Sequence, residues 1–117
     1  MDVLAPAGGL KCSAGEMLAY LGKMWQPINE RSAATIKKLL EPTVKLGPMM
    51  SVGRGWHLLE QKDKPVIYWH NGGTYGFSTF AAFTKDGHAV IVAVNKFNSN
   101  MVSDALGMAI IKKMQEQ

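Results

Sequence analysis

The residues best placed to do chemistry are Tyr68-Trp69-His70-Asn71-Gly72-Gly73-Thr74-Tyr75-Gly76-Phe77. An apolar run with strand character, from Pro65 to Trp69, delivers a histidine and an asparagine to the start of a loop. In that loop three of five residues, Gly72 to Gly76, are glycine. A strand end fixes side chains, and glycine leaves the following backbone N–H groups open to a ligand because no Cβ shields them. This is how the edge of a site is built. The same stretch also fits a hydrogen-bonded sheet histidine followed by a plain glycine turn, and the motif alone does not separate the two.

Several other chemistries are excluded by spacing. Gly72 to Gly76 does not match the dinucleotide fingerprint, and Gly9 to Gly15 is followed by no Lys-Ser or Lys-Thr of a phosphate loop. No Gly-x-Ser-x-Gly elbow occurs. The nine acidic residues lie mostly at turns and helix ends, which argues against a catalytic carboxylate pair. His57, His70 and His88 are far apart in sequence and none has a second ligand at helical or hairpin spacing, so no metal is expected. No cofactor is expected either.

The formal net charge of +4 does not point to nucleic acid. The lysines are scattered, and the doublets Lys37-Lys38 and Lys112-Lys113 fall late in predicted helices, where cations suit the helix dipole. Cys12 is the only cysteine, which rules out an intrachain disulfide. No basic and apolar leader pattern follows Met1, and the longest apolar run, Ala89 to Val94, is too short for a membrane span. The compartment stays open.

The elements that must position the glycine stretch follow from periodicity and punctuation. Ala5 to Leu10 reads as a loop. Ser13 with Glu16 forms a capping box for a helix whose apolar face is Met17, Leu18, Leu21, Met24 and Trp25, stopped by Pro27. A second helix starts at Asn29, buries Ala33, Ile36 and Leu40, and ends before Pro42. Val44 to Ser51 is expected to be loop. Strands are expected over Gly53 to Glu60, Pro65 to His70, Phe77 to Thr84 and Ala89 to Val94, with Asp86-Gly87 as a hairpin turn. A last helix from near Ser99 would bury Val102, Leu106, Ala109, Ile110 and Met114. The class is therefore α+β, an antiparallel sheet of three to four strands flanked by helices.

His70-Asn71-Gly72-Gly73-Thr74 to Phe77-Ser78, followed by the apolar hairpin ending in Val94-Asn95, resembles the third conserved element of the serine β-lactamase and penicillin-binding superfamily. The closest likeness is to its branch of class C-like lactamases, D-alanyl-D-alanine carboxypeptidases and esterases. Pro6-Ala7-Gly8-Gly9-Leu10 with Ser13-Ala14, and Gly53-x-Gly-Trp56, resemble the same branch in the same order. The resemblance implies that His70 orients a substrate carboxylate or supports proton transfer. It implies that Asn71 stands where a hydroxyl residue is usual, that Gly72 lets the strand lie against substrate, and that Thr74 and Tyr75 complete the substrate contacts. The backbone N–H of Gly73 would be one of two oxyanion donors.

The nucleophile of that superfamily lies in Ser-x-x-Lys, and no serine of this chain has Lys three residues on. Tyr-x-Asn, the second element, is missing as well, and family members are several-fold longer. The expectation is therefore a single partial domain over 1–117, the C-terminal part of a β-lactamase/transpeptidase-like fold. Such a piece would supply the His-x-Gly wall for a small-molecule or peptide substrate, and would be inactive alone. The resemblance further implies self-association or a complementing N-terminal part, and an exported or periplasmic setting for full-length relatives. A non-enzymatic module that binds a peptide or acyl ligand, or associates with itself, is the alternative.

Overall fold

The computed structural model describes residues 8–117. Three helices are described, α1 (Ala14–Gly22), α2 (Glu30–Leu40) and α3 (Asn100–Gln115). Between α2 and α3 run six strands, β1 (Val44–Lys45), β2 (Met50–Val52), β3 (His57–Leu59), β4 (Ile67–Gly73), β5 (Ser78–Phe83) and β6 (Ala89–Val94). They pair antiparallel in sequence order, a meander. The α+β class holds, but the sheet has six strands where three to four were expected.

The two extra strands come from the segment expected to be loop. Val44 pairs with Val52 and Lys45 with Ser51 around the Gly47-Pro48 turn, and β2 then pairs with β3. Pairing starts late on β3. Gly53 to Trp56 is a turn, in which the Gly53 N–H donates to the Trp56 carbonyl at 2.8 Å. Gly53 is required there, because a Cβ would lie 2.8 Å from the carbonyl oxygens of both Leu39 and Glu41.

Side-chain alternation sends successive residues to opposite faces of the sheet, and each face has its own core. On one face Leu58, Tyr68 and Phe83 pack with Trp56, with Leu21 and Met24 from the α1 region and with Leu40 of α2. On the other, Ile67, Phe80, Ala82, Val90 and Val92 pack against Ile111 of α3. The uninterrupted apolar character of β6 follows from this cover on both sides.

The expected starts of α1 and α2 are present. Asn29 caps α2, its side chain accepting from the Ser32 N–H at 2.9 Å. Ser13 caps α1 with a complete capping box: its N–H donates to Glu16 Oε1 at 2.9 Å, and its Oγ accepts from the Glu16 N–H at 3.1 Å. The Ser13 N–H, then its hydroxyl, hold the Glu16 carboxyl below its ordinary value. A lowered folded-state value means that the box stabilises α1 fully above the ordinary glutamate range. That contribution is lost as pH falls through the lower, folded value. Side-chain NMR should accordingly show Glu16 titrating below a glutamate in an unfolded peptide; a midpoint at or above that reference would contradict the box.

Helix α1 is shorter than its apolar spacing implies. It ends at Gly22, and Leu18 stays 42% exposed while Leu21 is fully buried. The larger correction concerns α3. Its buried residues are Ser103, Gly107 and Ile111, one step round the helix from most of the expected face; Val102, Leu106, Ala109 and Ile110 are exposed, and of the expected residues Met114 packs against the core. Gly107 explains the choice, because Phe80 of β5 occupies the space that its Cβ would fill. Of the expected Ala5–Leu10 loop, residues 5–7 lie outside the described residues.

Candidate functional site

The His70 to Gly73 stretch is strand, not loop: β4 continues through Gly73, and Gly73 pairs with Ser78. The Thr74 N–H donates to the Phe77 carbonyl at 2.9 Å to close the hairpin. In an antiparallel pair, hydrogen-bonded and non-bonded residues alternate. Thr74, Gly72 and His70 therefore turn their backbone groups toward β5, while Trp69, Asn71 and Gly73 turn theirs away from it. Trp69 meets His57 there, but β3 stops at that pair. The N–H and C=O groups of Asn71 and Gly73 thus face a notch in the sheet edge that no strand among the described residues fills.

His70 closes the inner end of this notch. Its Nδ1 lies 2.5 Å from the Asn71 carbonyl oxygen. A carbonyl oxygen only accepts, so the contact puts a proton on Nδ1, and Nε2 is the nitrogen that is left to face other groups. The His57 ring, stacked on Trp69 at 4.4 Å, comes within 5.7 Å of the His70 ring. Sequence separation hid this pairing of histidines; the strand register creates it. Among the described residues no group of three or more His, Cys, Asp or Glu is placed to hold a metal ion.

The two glycines are crowded by different neighbours. A Cβ on Gly72 would sit 2.9 Å from the Thr79 hydroxyl, and one on Gly73 would sit 3.3 Å from Asn100 Oδ1. Both neighbours are anchors: Asn100 Nδ2 donates to the Gly72 carbonyl at 2.9 Å, and Thr79 Oγ1 donates to it at 3.3 Å. The first residue of α3 thereby fixes the glycine end of β4.

Asn71 is committed elsewhere than the sequence suggested. Its side chain points to the α3 face, where Nδ2 donates to Asp104 Oδ2 at 2.8 Å. Only its backbone faces the notch. Thr74 is half-buried at the hairpin, and Tyr75 is 91% exposed with its ring 5.9 Å from Phe97. His57, Thr79, Asn100 and Asp104 are the site neighbours that sequence reasoning missed. None carries a local signal, since each acts through a register or a contact distant in sequence.

Replacing Asn71 by alanine strips Asp104 of this partner. A hydrogen bond to a charged group contributes roughly 2 kcal/mol, so Asn71→Ala should cost about that in denaturant unfolding. A double-mutant cycle with Asp104→Ala checks it, because the two losses should be far from additive.

A family model described as beta-lactamase matches residues 1–114 of this 117-residue chain. The chain belongs to the beta-lactamase family. No curated protein matches it. The family's serine-hydrolase-like fold agrees broadly with helices on both faces of an antiparallel sheet. Among the described residues no helix is long and apolar enough to cross a membrane.

Proposed function

We propose that this beta-lactamase family chain is the C-terminal portion of a serine hydrolase acting on β-lactams, D-alanyl-D-alanine peptides or esters, and forms one wall of the acyl-transfer cleft. The observation that supports it is the notch beside β4, which holds free backbone donors and an imidazole at one strand edge. An extended acyl-peptide laid there would pair with the outward groups of Gly73. During attack on its carbonyl, the Gly73 N–H would stabilise the developing oxyanion, a role worth roughly 3 kcal/mol per donor. His70 Nε2 would accept a proton or orient the substrate, and Gly72 keeps the strand surface low. Asn71 contributes through its backbone, and Thr74 and Tyr75 bound the far end of the notch.

The chain is a single partial domain in this reading. Ser-x-x-Lys does not occur in it, so the nucleophile and the second oxyanion donor come from another segment or another chain. The 117-residue chain should therefore bind but not react. Incubated with a fluorescent penicillin and with an activated ester, it should show neither covalent labelling nor turnover. An acyl-D-alanine ligand titrated in NMR should move the amides of Asn71 and Gly73. Labelling of this chain would overturn the missing nucleophile; unmoved amides would overturn the wall. Binding that survives with no catalytic complement in any form of the protein would favour the non-enzymatic module.

A further inference from the structure

Three buried side-chain atoms have no hydrogen-bond partner among the described residues: His57 Nδ1, Trp69 Nε1 and Asp104 Oδ1. They belong to one corner of the fold. His57 and Trp69 face one another in the β3–β4 register, and their rings stack at 4.4 Å. Asn71, two residues further along the same face of β4, donates from Nδ2 to Asp104 Oδ2 at 2.8 Å. α3 runs antiparallel to β4 over this face, with Asn100 at Gly72, Asp104 at Asn71 and Gln115 at Pro65. Each of the three atoms is enclosed by the described residues themselves, so the corner does not depend on what else the sheet packs against.

The three are chemically complementary. An indole N–H only donates, an ionised carboxylate only accepts, and an imidazole nitrogen does one or the other according to its tautomer. Left unpaired in a buried corner, such a donor and such an acceptor each cost stability. A metal ion does not suit an indole N–H, and an anion does not suit the carboxylate. That leaves a small neutral molecule able to donate and accept at once. Water donates twice and accepts twice, and an internal water typically makes about three such bonds.

We propose that one buried water joins His57, Trp69 and Asp104, and that Asp104 is thereby the positioning residue of the β4 notch. Its Oδ2 holds Asn71 directly and its Oδ1 holds Trp69 through the water, so a single carboxylate grips β4 on both sides of His70. His70 itself is exposed, and its Nδ1 donates to the Asn71 carbonyl. Fixing residues 69 and 71 fixes that carbonyl and the ring that hangs on it. The same water pins His57, whose ring stands 5.7 Å from that of His70. The grip stands whatever the notch binds; only its use, aiming His70 at a substrate, rests on the hydrolase reading.

NMR of the 117-residue chain tests this without any ligand. The Trp69 indole N–H should show a nuclear Overhauser contact to a long-lived water. Asp104→Asn keeps the side-chain shape but offers one acceptor oxygen in place of two. In it the Trp69 indole should exchange with solvent about tenfold faster, while the indoles of Trp25 and Trp56, on the other face, keep their rates. The His70 Nδ1–H signal should weaken at the same time, as the ring loses its single setting. Trp69→Phe keeps a ring in the stack and removes only the donor, and it decides the matter if Asp104→Asn fails to fold. The Asn71 side-chain amide and the His70 ring nitrogens should shift in it, although neither group bonds to Trp69. No water contact at Trp69, or an indole indifferent to Asp104→Asn, would overturn the shared water. His70 ring nitrogens unmoved in both variants would overturn the positioning role. A chain that passes these measurements but whose Asn71 and Gly73 amides ignore acyl-D-alanine would sink the hydrolase reading and leave the grip standing.

Discussion

Phe83→Ala should remove about 4 kcal/mol of stability, within the range for truncating a buried aromatic ring. Phe83 is fully buried at the end of β5, and three rings close on it: Tyr68 stacked at 5.0 Å, Trp56 edge-on at 5.1 Å and Trp25 tilted at 6.3 Å. These rings come from β4, from the turn before β3 and from the segment after α1, so a cavity here loosens three connections at once. Net stability of a domain is only about 5 to 15 kcal/mol, so the variant should be largely unfolded in mild urea. The measurement is the urea midpoint followed by circular dichroism. Phe97→Ala is the comparison, since that ring is 58% exposed and its loss should move the midpoint little. Equal shifts for the two variants would mean that the ring cluster is not the centre of this face.

Local signals reported the features that are local. The Ser13–Glu16 box, the Asn29 cap and the Asp86-Gly87 turn, where Gly87 takes φ of +102°, all stand where the residues predict them. β1 and β2 were hidden because two- and three-residue strands hold too few residues to show a period, and Gly47-Pro48 between them reads as loop. At the site, His70 and Gly73 could be singled out because a histidine before paired glycines at a strand end is unusual in itself. That β4 runs on to Gly73 could not, because glycine disfavours strands and what holds it there, the register with β5 and the Asn100 amide on the Gly72 carbonyl, comes from residues distant in sequence. Nor could the destination of the Asn71 amide be seen, since Asp104 is 33 residues away.

The misjudged face of α3 leads to the second large effect. Hydropathy selects Val102, Leu106 and Ile110, yet shape selects Gly107. A Cβ at Gly107 would lie 2.1, 2.5 and 2.8 Å from three atoms of the Phe80 ring, and that ring is itself 1% exposed with Trp69 stacked 5.9 Å away. Neither partner has room to yield, so Gly107→Ala should force α3 off the sheet. Alanine favours helices by about 1 kcal/mol over glycine, which would offset part of the strain. Overpacking of a dense core costs roughly 1 to 3 kcal/mol and sometimes more; with the Phe80 ring buried on the Cβ position the upper end applies, so a net loss of about 2 kcal/mol is expected after the helix gain. The displacement should also reach the β4 notch, because α3 supplies both Asn100, which holds the Gly72 carbonyl, and Asp104, which holds Asn71. The amide resonances of Asn71, Gly72 and Gly73 should therefore move in Gly107→Ala while those of β1 and β2 stay in place. A stabilised variant, or one in which the notch resonances are unmoved, would show that β4 keeps its shape without the helix.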